Sequence, residues 1–340
     1  MPGRHRIFLT HDPESRTNYF GETALERLRT LGDVAERQTE HILGSEELIQ
    51  GAAGCTIVVS DRTTPGYAEI FNRLPDLLAF LRVAVDIRNI DVEAASRAGV
   101  LVCQSGRSWV PAVTELILGL MIDVSRGVSR ANIAYKQGRA PEILKGRQLA
   151  GATAGIIGYG HLGRRMAEIL AMLGMQVLVA DPYVTVDKSG IRQVDKETLL
   201  AASDYVLPLA VATEETENLI GAVELARMKP SAFLINASRG NLVDEAALKQ
   251  ALDARTIAGA AMDVGRAPDQ MPTPSLAARP DIVATPHIGG LTREAAEGQA
   301  LEIVAQAAEI VAGRIPTGAV NAASAPGSRS EERRVGKECR

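Results

Sequence analysis

The stretch "TAGIIGYGHLGRRMAEILAMLGMQVLVADP" (Thr153–Pro182) decides which fold the chain is expected to adopt. Its glycines Gly158, Gly160 and Gly163 form the pattern G-x-G-x-x-G between an apolar strand pattern and a helix pattern. A second strand pattern, "QVLVA", ends at Asp181, 23 residues after the first glycine. Glycines at this spacing permit a tight turn and let a pyrophosphate approach the N-terminus of the helix. The stretch therefore predicts a strand–turn–helix–strand unit that binds a dinucleotide.

The carboxylate of Asp181 indicates which dinucleotide is bound. A carboxylate at the end of the second strand accepts hydrogen bonds from both ribose hydroxyls and repels a 2′-phosphate. We therefore predict NAD, rather than NADP, as the cofactor. The residues expected to bind it first form one continuous loop: Gly158, Tyr159, Gly160, His161, Leu162 and Gly163.

The composition is typical of an ordinary globular protein, with 340 residues of which 46% are hydrophobic and 23% are charged. A chain of this length exceeds the usual size of one core, so two domains are expected. The net charge of −4 argues against a general nucleic-acid binder, and no apolar run reaches the roughly 18 residues of a membrane span. Cys55, Cys103 and Cys339 lie far apart without metal-ligand spacing. We therefore predict a cytoplasmic protein without a metal site, a nucleic-acid partner or a membrane anchor.

Short apolar strand patterns alternate with helix patterns along the chain, which predicts parallel sheets covered on both faces. We expect two Rossmann-like, doubly wound α/β domains hinged near a long helix at Pro111–Gly138. A later helix pattern at Thr292–Gly313 closes the structured part. The charged stretch Gly327–Arg340 contains "RSEERRVGKEC", which resembles a translated sequencing-library adapter. We therefore predict that residues 328–340 are a disordered and artefactual tail.

Arg239 is the first candidate for binding a substrate. The segment "INASRGNLVDEAAL" (Ile235–Leu248) ends a strand pattern with small residues and then presents this arginine beside Gly240. In open α/β sheets, ligands collect at the carboxyl ends of the strands. A guanidinium group donates two parallel hydrogen bonds to a planar carboxylate, so the position favours an acidic substrate.

His287 is the candidate for proton transfer. It lies in "IVATPHIGG" (Ile282–Gly290), at the junction of a strand pattern and a glycine loop. His5, His11 and His41 are interpreted as surface or loop histidines, whereas the histidine inside the glycine loop is expected to contribute by its backbone only. Hydride transfer to a carbonyl needs a proton donor near neutral pH, so a histidine beside a NAD site favours acid–base catalysis.

Four segments together resemble the D-isomer-specific 2-hydroxyacid dehydrogenase family over residues 5–325. They are "GIIGYGHLGRRMA", "ELARMKPSAFLINASRGNLVDEAAL", "AGAAMDV" and "TPHIGG", in the family's order and rough spacing. The resemblance implies a dinucleotide-binding domain, residues 105–292, inserted into a discontinuous substrate-binding domain, residues 1–104 and 293–327. It also implies a site in the cleft between the domains and a homodimer formed through the coenzyme domain.

The same resemblance assigns roles to individual residues. The family's substrate-orienting arginine corresponds to Arg239 and its histidine acid–base to His287. Asp263 is expected beside the nicotinamide, although a strand-end cap is the alternative. The residues expected to line the nicotinamide side are Ala210, Val211, Ala237, Ser238 and Asp263, and Gly290 is also expected to bind the cofactor.

One departure from the family concerns the acid that supports the histidine. Family members carry a glutamate five residues after the aspartate of the "DV" strand, but this chain has Pro268 there. Asp269, one residue later, is the nearest acid. We predict that its carboxylate holds His287 in the charged form, because a nearby negative charge stabilises the imidazolium.

A second departure concerns the loop that offers backbone N–H groups to the substrate carboxylate. The segment "RVAVDIRNID" (Arg82–Asp91) corresponds to the family's R-x-G-x-G loop, with Ala84 and Asp86 in place of glycines. Asp86 would repel an acid unless it turns away or pairs with Arg88. The residues predicted to bind substrate here are Ala84, Val85 and Asp86. Farther along the chain, Arg107 and Trp109 lie at the expected crossover between the domains, where the tryptophan serves hinge packing or substrate contact.

The sequence thus predicts reversible hydride transfer between NAD(H) and a 2-oxo or 2-hydroxy acid. Arg239 would bind the substrate and His287 would exchange the proton. Two alternatives stay open: an NAD(H)-sensing protein of the same fold that acts as a corepressor, and a dehydrogenase of the same fold for a phosphorylated hydroxy acid. Formate is disfavoured as a substrate, because its oxidation needs no proton donor.

Overall fold

The computed structural model describes residues 4–324, and the predicted tail at residues 328–340 lies outside them. The chain forms two compact units: a first unit made of the residues up to Trp109 and from Arg293 onward, and a second unit, Val110–Thr292. The chain thus leaves the first unit after residue 109, whereas the sequence placed the boundary after residue 104. Residues 105–109 stay with the first unit because Glu302 accepts hydrogen bonds from the Gly106 amide and the Ser108 hydroxyl.

The first unit contains a parallel five-stranded sheet with the strand order β2-β1-β3-β4-β5. Its strands are β1 (His5–Leu9), β2 (Gly32–Glu36), β3 (Ile57–Ser60), β4 (Ala79–Arg82) and β5 (Leu101–Gln104). Ile7 of β1 lies opposite Val34 and Ile57 of its two neighbours. All strands run in one direction, so their carboxyl ends share one edge of the sheet, as the alternating pattern predicted.

The second unit contains a parallel seven-stranded sheet with the order β12-β11-β10-β9-β6-β7-β8. Its strands are β6 (Thr153–Ile157), β7 (Gln176–Ala180), β8 (Ile191–Gln193), β9 (Tyr205–Pro208), β10 (Phe233–Asn236), β11 (Gly259–Met262) and β12 (Ile282–Ala284). The strand order reverses at β6, with β7 on one side and β9 on the other. Ligands of open α/β sheets bind at such a reversal. The predicted α/β class with two doubly wound domains is confirmed.

Helices cover both sheets. They are α1 (Pro13–Ser15), α2 (Glu22–Leu31), α3 (Ser45–Gly51), α4 (Ala68–Arg73), α5 (Val92–Arg97), α6 (Val110–Arg126), α7 (Val128–Lys136), α8 (His161–Met172), α9 (Lys196–Ala202), α10 (Ala222–Arg227), α11 (Glu245–Asp253), α12 (Pro274–Ala277) and α13 (Arg293–Val311). Short 3-10 turns occupy Glu214–Thr216, Gly240–Leu242 and Pro268–Gln270, and a π-helical turn occupies Arg16–Phe20. No helix among residues 4–324 is long and apolar enough to cross a membrane.

The first sheet is buried on both faces, which explains why its strands are apolar throughout. Along β1, Ile7 and Leu9 join one buried cluster, and Phe8 joins the other. The C-terminal helix α13 returns to cover the first of these faces, where Ala300 and Ile303 are buried beside residues of α2. The first unit is therefore discontinuous in sequence.

The long helix predicted at Pro111–Gly138 is two helices. Gly127 separates α6 from α7, with a left-handed φ of +67°. Its N–H donates to the Asp123 carbonyl at 2.7 Å, and the Asp123 carboxylate accepts from the Ser129 amide at 2.8 Å. The glycine ends the first helix because it adopts this conformation without a steric penalty, and the aspartate caps the second.

Candidate functional site

The glycine loop follows β6 and needs its glycines for two different reasons. Gly158 has a φ of +100°, and a Cβ there would lie 2.6 Å from the backbone of Ala210. A Cβ on Gly163 would lie 2.1 Å from the Gly158 carbonyl oxygen. The loop therefore lies against the chain that leaves β9, which brings the predicted cofactor residue Ala210 to it. Any side chain at these two positions would push the strand and helix apart.

Helix α8 begins at His161, within the glycine loop, and has twelve residues. Its first turn leaves backbone N–H groups that suit a pyrophosphate. The His161 side chain is exposed, whereas Tyr159, Leu162 and Gly163 are buried. Arg164 was not predicted from the sequence as part of this site. Its Nε donates to the Tyr159 carbonyl at 3.0 Å, and its guanidinium lies 5.1 Å from the centroid of the Tyr159 ring. The pair of arginines that follows the third glycine in the sequence could have indicated this contact.

Asp181, at the end of β7, is held by two backbone amides. Its Oδ2 accepts from the Tyr159 N–H at 2.6 Å, and its Oδ1 accepts from the Tyr183 N–H at 2.8 Å. The Tyr183 hydroxyl in turn donates to Glu215 at 3.0 Å. This hydrogen bond, followed by the charges of Glu215 and Asp181, raises the pKa of Tyr183. Two carboxylates at this place fit the ribose hydroxyls of NAD and oppose a 2′-phosphate.

The strand ends beside the glycine loop hold the other predicted cofactor residues. Val211, beyond β9, is 77% exposed, whereas Ala237, directly after β10, is buried. Ser238 is half-buried, and its N–H donates to the Asn236 side chain at 3.2 Å. Gly290, beyond β12, is also half-buried. All four follow strands of one parallel sheet, so they lie along the same edge as the glycine loop.

Arg239 follows β10 in a tightly packed turn. Its Nη1 donates to the Ser238 carbonyl at 2.8 Å, and its own carbonyl accepts from the Asn236 side chain at 3.0 Å. A Cβ on Gly240 would lie 1.9 Å from the Gly265 carbonyl oxygen, so only glycine permits this approach. The arginine is half-buried. The turn therefore holds the guanidinium in one place while leaving it accessible.

Asp263 is 1% exposed and serves the loop that carries His287. Its carboxylate accepts from the Thr285 hydroxyl at 2.6 Å, the Ile288 amide at 2.9 Å and the Gly289 amide at 2.8 Å. Its carbonyl accepts from the His287 amide at 2.9 Å. These contacts match the alternative of a strand-end cap. A role beside the nicotinamide stays a prediction.

His287 is half-buried and contacts Asp269 through the main chain. Its Nδ1 lies 2.7 Å from the Asp269 carbonyl oxygen. A carbonyl oxygen can only accept, so the ring carries a proton on Nδ1 and leaves Nε2 to exchange one with a substrate. The hydrogen bond to the ring is accepted by the Asp269 carbonyl, and support of the imidazolium by the Asp269 carboxylate stays a prediction. Asp269 and Gln270 have φ of 59° and 57°, and these left-handed residues turn the carbonyl toward the ring.

The predicted substrate loop of the first unit resolves the question about Asp86. Arg88 donates from Nε to Asp86 Oδ1 at 3.0 Å and from Nη2 to Asp86 Oδ2 at 2.6 Å. The hydrogen bond to Asp86 raises the pKa of Arg88. Ala84 is half-buried in the same loop, and its carbonyl accepts from the Ser105 amide at 3.2 Å. The charge of Asp86 is therefore balanced within the loop.

Arg82, at the end of β4, is fully buried and braces this loop. Its Nη2 donates to the Thr64 carbonyl at 2.7 Å and to Asn89 Oδ1 at 2.9 Å, and its Nη1 donates to the Asp61 carbonyl. Burial lowers the pKa of Arg82 to about 10. This arginine holds the two flanking loops together.

His11 lies in a loop, as the interpretation of it as a surface or loop histidine allowed, but it is not at the surface. The residue follows β1 and is 1% exposed, and its Nδ1 has no hydrogen-bond partner among the described residues. Burial lowers the pKa of His11 to about 4, against the opposing charge of Asp61. Its ring lies 5.2 Å from the Phe20 ring. A single histidine after a short strand pattern gave no signal of this burial.

Residues 118–289 match the sequence profile of the family described as D-isomer specific 2-hydroxyacid dehydrogenase, NAD binding domain. The segment lies inside the second unit and includes the glycine loop, Asp181, Arg239 and His287. The residues of the loop and the two carboxylates at the ribose position fit NAD, which is the cofactor of this family's domain. The predicted cofactor is therefore supported by both the match and the geometry.

Two curated relatives illustrate the similarity. The chain is 34% identical over 278 residues to D-3-phosphoglycerate dehydrogenase of Archaeoglobus fulgidus, covering 81% of this chain and 52% of that protein. It is 31% identical over 272 residues to hydroxypyruvate reductase of Thermotoga maritima, covering 79% of this chain and 89% of that one. The chain thus spans about half the length of the phosphoglycerate dehydrogenase and most of the reductase.

Solved structures show the same architecture. A protein of Thermus thermophilus superimposes with a TM-score of 0.81 at 29% identity, covering 93% of this chain and 99% of that one. The NAD-complexed D-isomer specific 2-hydroxyacid dehydrogenase of Lactobacillus delbrueckii superimposes with a TM-score of 0.77 at 25% identity, covering 93% and 100%. Together with the family match and the reductase, these findings show that the chain belongs to the D-isomer specific 2-hydroxyacid dehydrogenase family.

Proposed function

We propose that the protein catalyses reversible hydride transfer between NAD(H) and a 2-oxo or 2-hydroxy acid. One observation carries the proposal: the glycine loop, Arg239 and His287 follow β6, β10 and β12 of one parallel sheet. They therefore lie on the same carboxyl edge, within the segment that matches the family's NAD binding domain. The hydroxypyruvate reductase and the phosphoglycerate dehydrogenase among its relatives carry names of this reaction type.

The roles follow from the chemistry of each group. When bound, NADH supplies the hydride. The guanidinium of Arg239 binds the substrate carboxylate and polarises the adjacent carbonyl, because its planar fork donates two parallel hydrogen bonds. His287 donates a proton from Nε2 to the carbonyl oxygen and accepts it back in the oxidative direction. The Asp269 carbonyl keeps the ring oriented by accepting from Nδ1.

The loop containing Ala84, Val85 and Asp86 is the proposed second contact for the substrate carboxylate, through backbone N–H groups. Arg88 neutralises Asp86, which supports the role by removing the repulsion of an acid. The same pairing engages a cation that a substrate phosphate would need. We therefore favour an unphosphorylated acid over a phosphorylated one.

Turnover is the test that separates this function from its rivals. NADH oxidation is measured with pyruvate, glyoxylate, hydroxypyruvate and 3-phosphohydroxypyruvate, in the wild type and in His287→Ala. We expect turnover with an unphosphorylated acid and its loss in the variant. Preference for the phosphorylated acid would favour the dehydrogenase for a phosphorylated hydroxy acid. NADH binding without turnover of any acid would favour a sensor of the corepressor type.

A homodimer is proposed on the apolar surface of the second unit. The face of α6 that holds Val113, Ile117 and Met121 is buried within the unit and is not available to a partner. Large apolar side chains are exposed instead in and around α7, at Ile122, Val128, Ile133, Tyr135 and Ile143. Several large apolar side chains exposed within one stretch of the chain favour an interface. Light scattering of the wild type and of Ile143→Glu tests this, with the monomeric mass expected in the variant.

A cytoplasmic location is proposed from cysteine chemistry. Cys55 and Cys103 are buried and unpaired, and burial raises the pKa of both thiols, that of Cys103 to about 12. Such thiols are inert and are typical of proteins kept in a reducing compartment. Fractionation of native cells with detection of the chain would test the location.

A further inference from the structure

The segment that contacts His287 is a closed loop, residues 265–272, which we call the support loop. It folds onto itself because the Gly265 amide donates to the Gln270 carbonyl at 2.7 Å and the Ala267 amide donates to the Met271 carbonyl at 3.0 Å. Its tip at Asp269 is exposed. Two successive left-handed residues at the tip are a strained arrangement that surrounding contacts must maintain.

Arg266 provides those contacts at the base of the loop. Its Nε donates to the Val243 carbonyl at 3.1 Å. Its Nη1 donates to Glu217 at 2.8 Å, and its Nη2 donates to Asn218 at 2.5 Å and to the Asn241 carbonyl at 3.0 Å. One guanidinium therefore joins the support loop to two other segments of the second unit.

The main chain of the same residue is anchored as well. The Arg266 amide donates to Glu245 Oε1 at 2.9 Å, at the start of α11. Segment 241–245 follows Arg239 directly, and Gly240 is packed on the Gly265 carbonyl. The network around Arg266 thus touches the loop that supports the proposed acid–base and the turn that presents the proposed substrate arginine.

We propose that Arg266 is a positioning residue that sets the orientation of His287 through the support loop and the Asp269 carbonyl. The proposal rests on the proposed function for its kinetic consequence, but not for its structural one. With the loop held, the carbonyl stays in line with Nδ1 and Nε2 presents its proton in one direction. Without the guanidinium, the loop keeps its Glu245 contact but loses its links to Glu217 and Asn218.

Ion-pair energy alone does not account for the arrangement. The Arg266 side chain is 34% exposed and Glu217 is 42% exposed, and exposed pairs contribute little to stability. The contacts matter because several of them, in different directions, fix the position of the support loop. A small misplacement of a catalytic group lowers the reaction rate by a large factor. Arg279 offers a matched control, since it pairs with Asp253 and Asp281 without touching the support loop.

The charged groups on the elements around His287 are few. Asp263 follows β11, Asp269 lies in the support loop, and Arg239 follows the neighbouring β10. Of the charged groups on these elements, an Arg266 variant changes only Arg266 itself. Loss of this positive charge alone would favour the imidazolium and move the alkaline fall of kcat to higher pH. A fall that begins at lower pH therefore reports the geometry of the ring and its carbonyl acceptor.

The experiment compares Arg266→Gln, Arg266→Lys and Glu245→Gln with the control Arg279→Gln. In Arg266→Gln we expect kcat for 2-oxo acid reduction to fall about 10- to 100-fold while the Kd for NADH stays within about twofold. The alkaline fall of kcat should begin at lower pH, because the imidazolium loses its acceptor. Arg266→Lys and Glu245→Gln should give intermediate changes, and Arg279→Gln none.

A second readout needs no turnover. Nitrogen-15 NMR of the histidine rings in the coenzyme-free protein should report an Nδ1–H tautomer for His287 in the wild type and in Arg279→Gln. Arg266→Gln should lose this preference, and if it fails to fold, Glu245→Gln gives the same comparison. An unchanged tautomer with an unchanged pH profile overturns the proposal. A wild type that binds NADH but reduces no 2-oxo acid overturns the proposed function, while the tautomer still decides the positioning role.

Discussion

The carboxyl edges of the two sheets both carry arginine and histidine, but they treat these side chains differently. At the edge of the first sheet, Arg82 and His11 are fully buried and the guanidinium donates to main-chain carbonyls. At the edge of the second sheet, Arg239 and His287 are half-buried, and each is oriented by a carbonyl. A charged group that is buried and has several hydrogen-bond partners stabilises the fold. Partial exposure with an orienting contact leaves hydrogen-bonding capacity for a ligand.

Replacing His287 tests this contrast between the two sheet edges most directly. We expect His287→Ala to lower kcat for 2-oxo acid reduction by roughly 10²- to 10⁴-fold, because the imidazole is the group proposed to deliver the proton. The affinity for NADH and the denaturation midpoint should stay near wild type, since the ring is half-buried. Stopped-flow or steady-state oxidation of NADH measures the loss. Activity within tenfold of wild type would remove the histidine from the mechanism.

The two arginines should respond in opposite ways. Arg82→Met removes the donor of the Asp61 carbonyl and the shorter hydrogen bond of the Thr64 carbonyl in a buried place, and we expect it to cost about 3 kcal/mol of unfolding free energy. Arg239→Met should cost less than about 0.5 kcal/mol while abolishing turnover. Urea unfolding of the two variants gives the measurement. Equal stability losses would show that the burial contrast has no energetic meaning.

His11 predicts a pH window for stability. Burial lowers its pKa from 6.5 to about 4, so below pH 6.5 the unfolded chain takes up a proton that the folded chain refuses. The free energy of unfolding should therefore fall between pH 6.5 and 4, by up to roughly 3 kcal/mol. His11→Phe, which keeps a ring beside Phe20, should flatten this window. An equal slope in the variant would assign it to other groups.

The carboxyl of Asp61 titrates below that pH window, so its protonation interferes little with the test of His11. Burial opposes its charge, but hydrogen bonds from Thr63 and Thr64 and the charge of His11 hold the pKa of its carboxyl below the usual 3.8. Its contribution to stability is present above pH 3.8 and is lost only as the pH falls below that value. Glutamates whose pKa is lowered on folding add to the slope in the lower part of the interval, so the difference between the wild type and His11→Phe, and not the total slope, reports the buried histidine.

The smallest expected effect concerns coenzyme choice. Replacing Asp181 with Ser removes the carboxylate that Tyr159 and Tyr183 orient, but leaves Glu215 nearby. We expect the ratio of NADPH to NADH affinity to rise roughly tenfold, which is about 1.4 kcal/mol. The double variant with Glu215→Gln should raise it further. Fluorescence titration with NADH and with NADPH measures the two affinities. An unchanged ratio would mean that another residue selects the coenzyme.

Local patterns predicted the parts of the fold that depend on local rules. The strand and helix patterns predicted two parallel sheets, because backbone geometry and burial impose their own periodicities. The glycine spacing and Asp181 predicted the cofactor loop, since only glycine tolerates the approach of Ala210 to Gly158. The break at Gly127 was overlooked because the apolar pattern continues through it.

Patterns in the sequence predicted the fold class, the cofactor loop, and an arginine and a histidine at the ends of strands. They could not determine which atoms meet across the chain. The burial of His11, the bracing by Arg82 and the use of the Asp269 carbonyl depend on the packing of segments far apart in sequence. The type of a side chain predicts which hydrogen bonds it can donate or accept. Which partner it reaches, and how exposed it is to water, depends on how distant segments pack together.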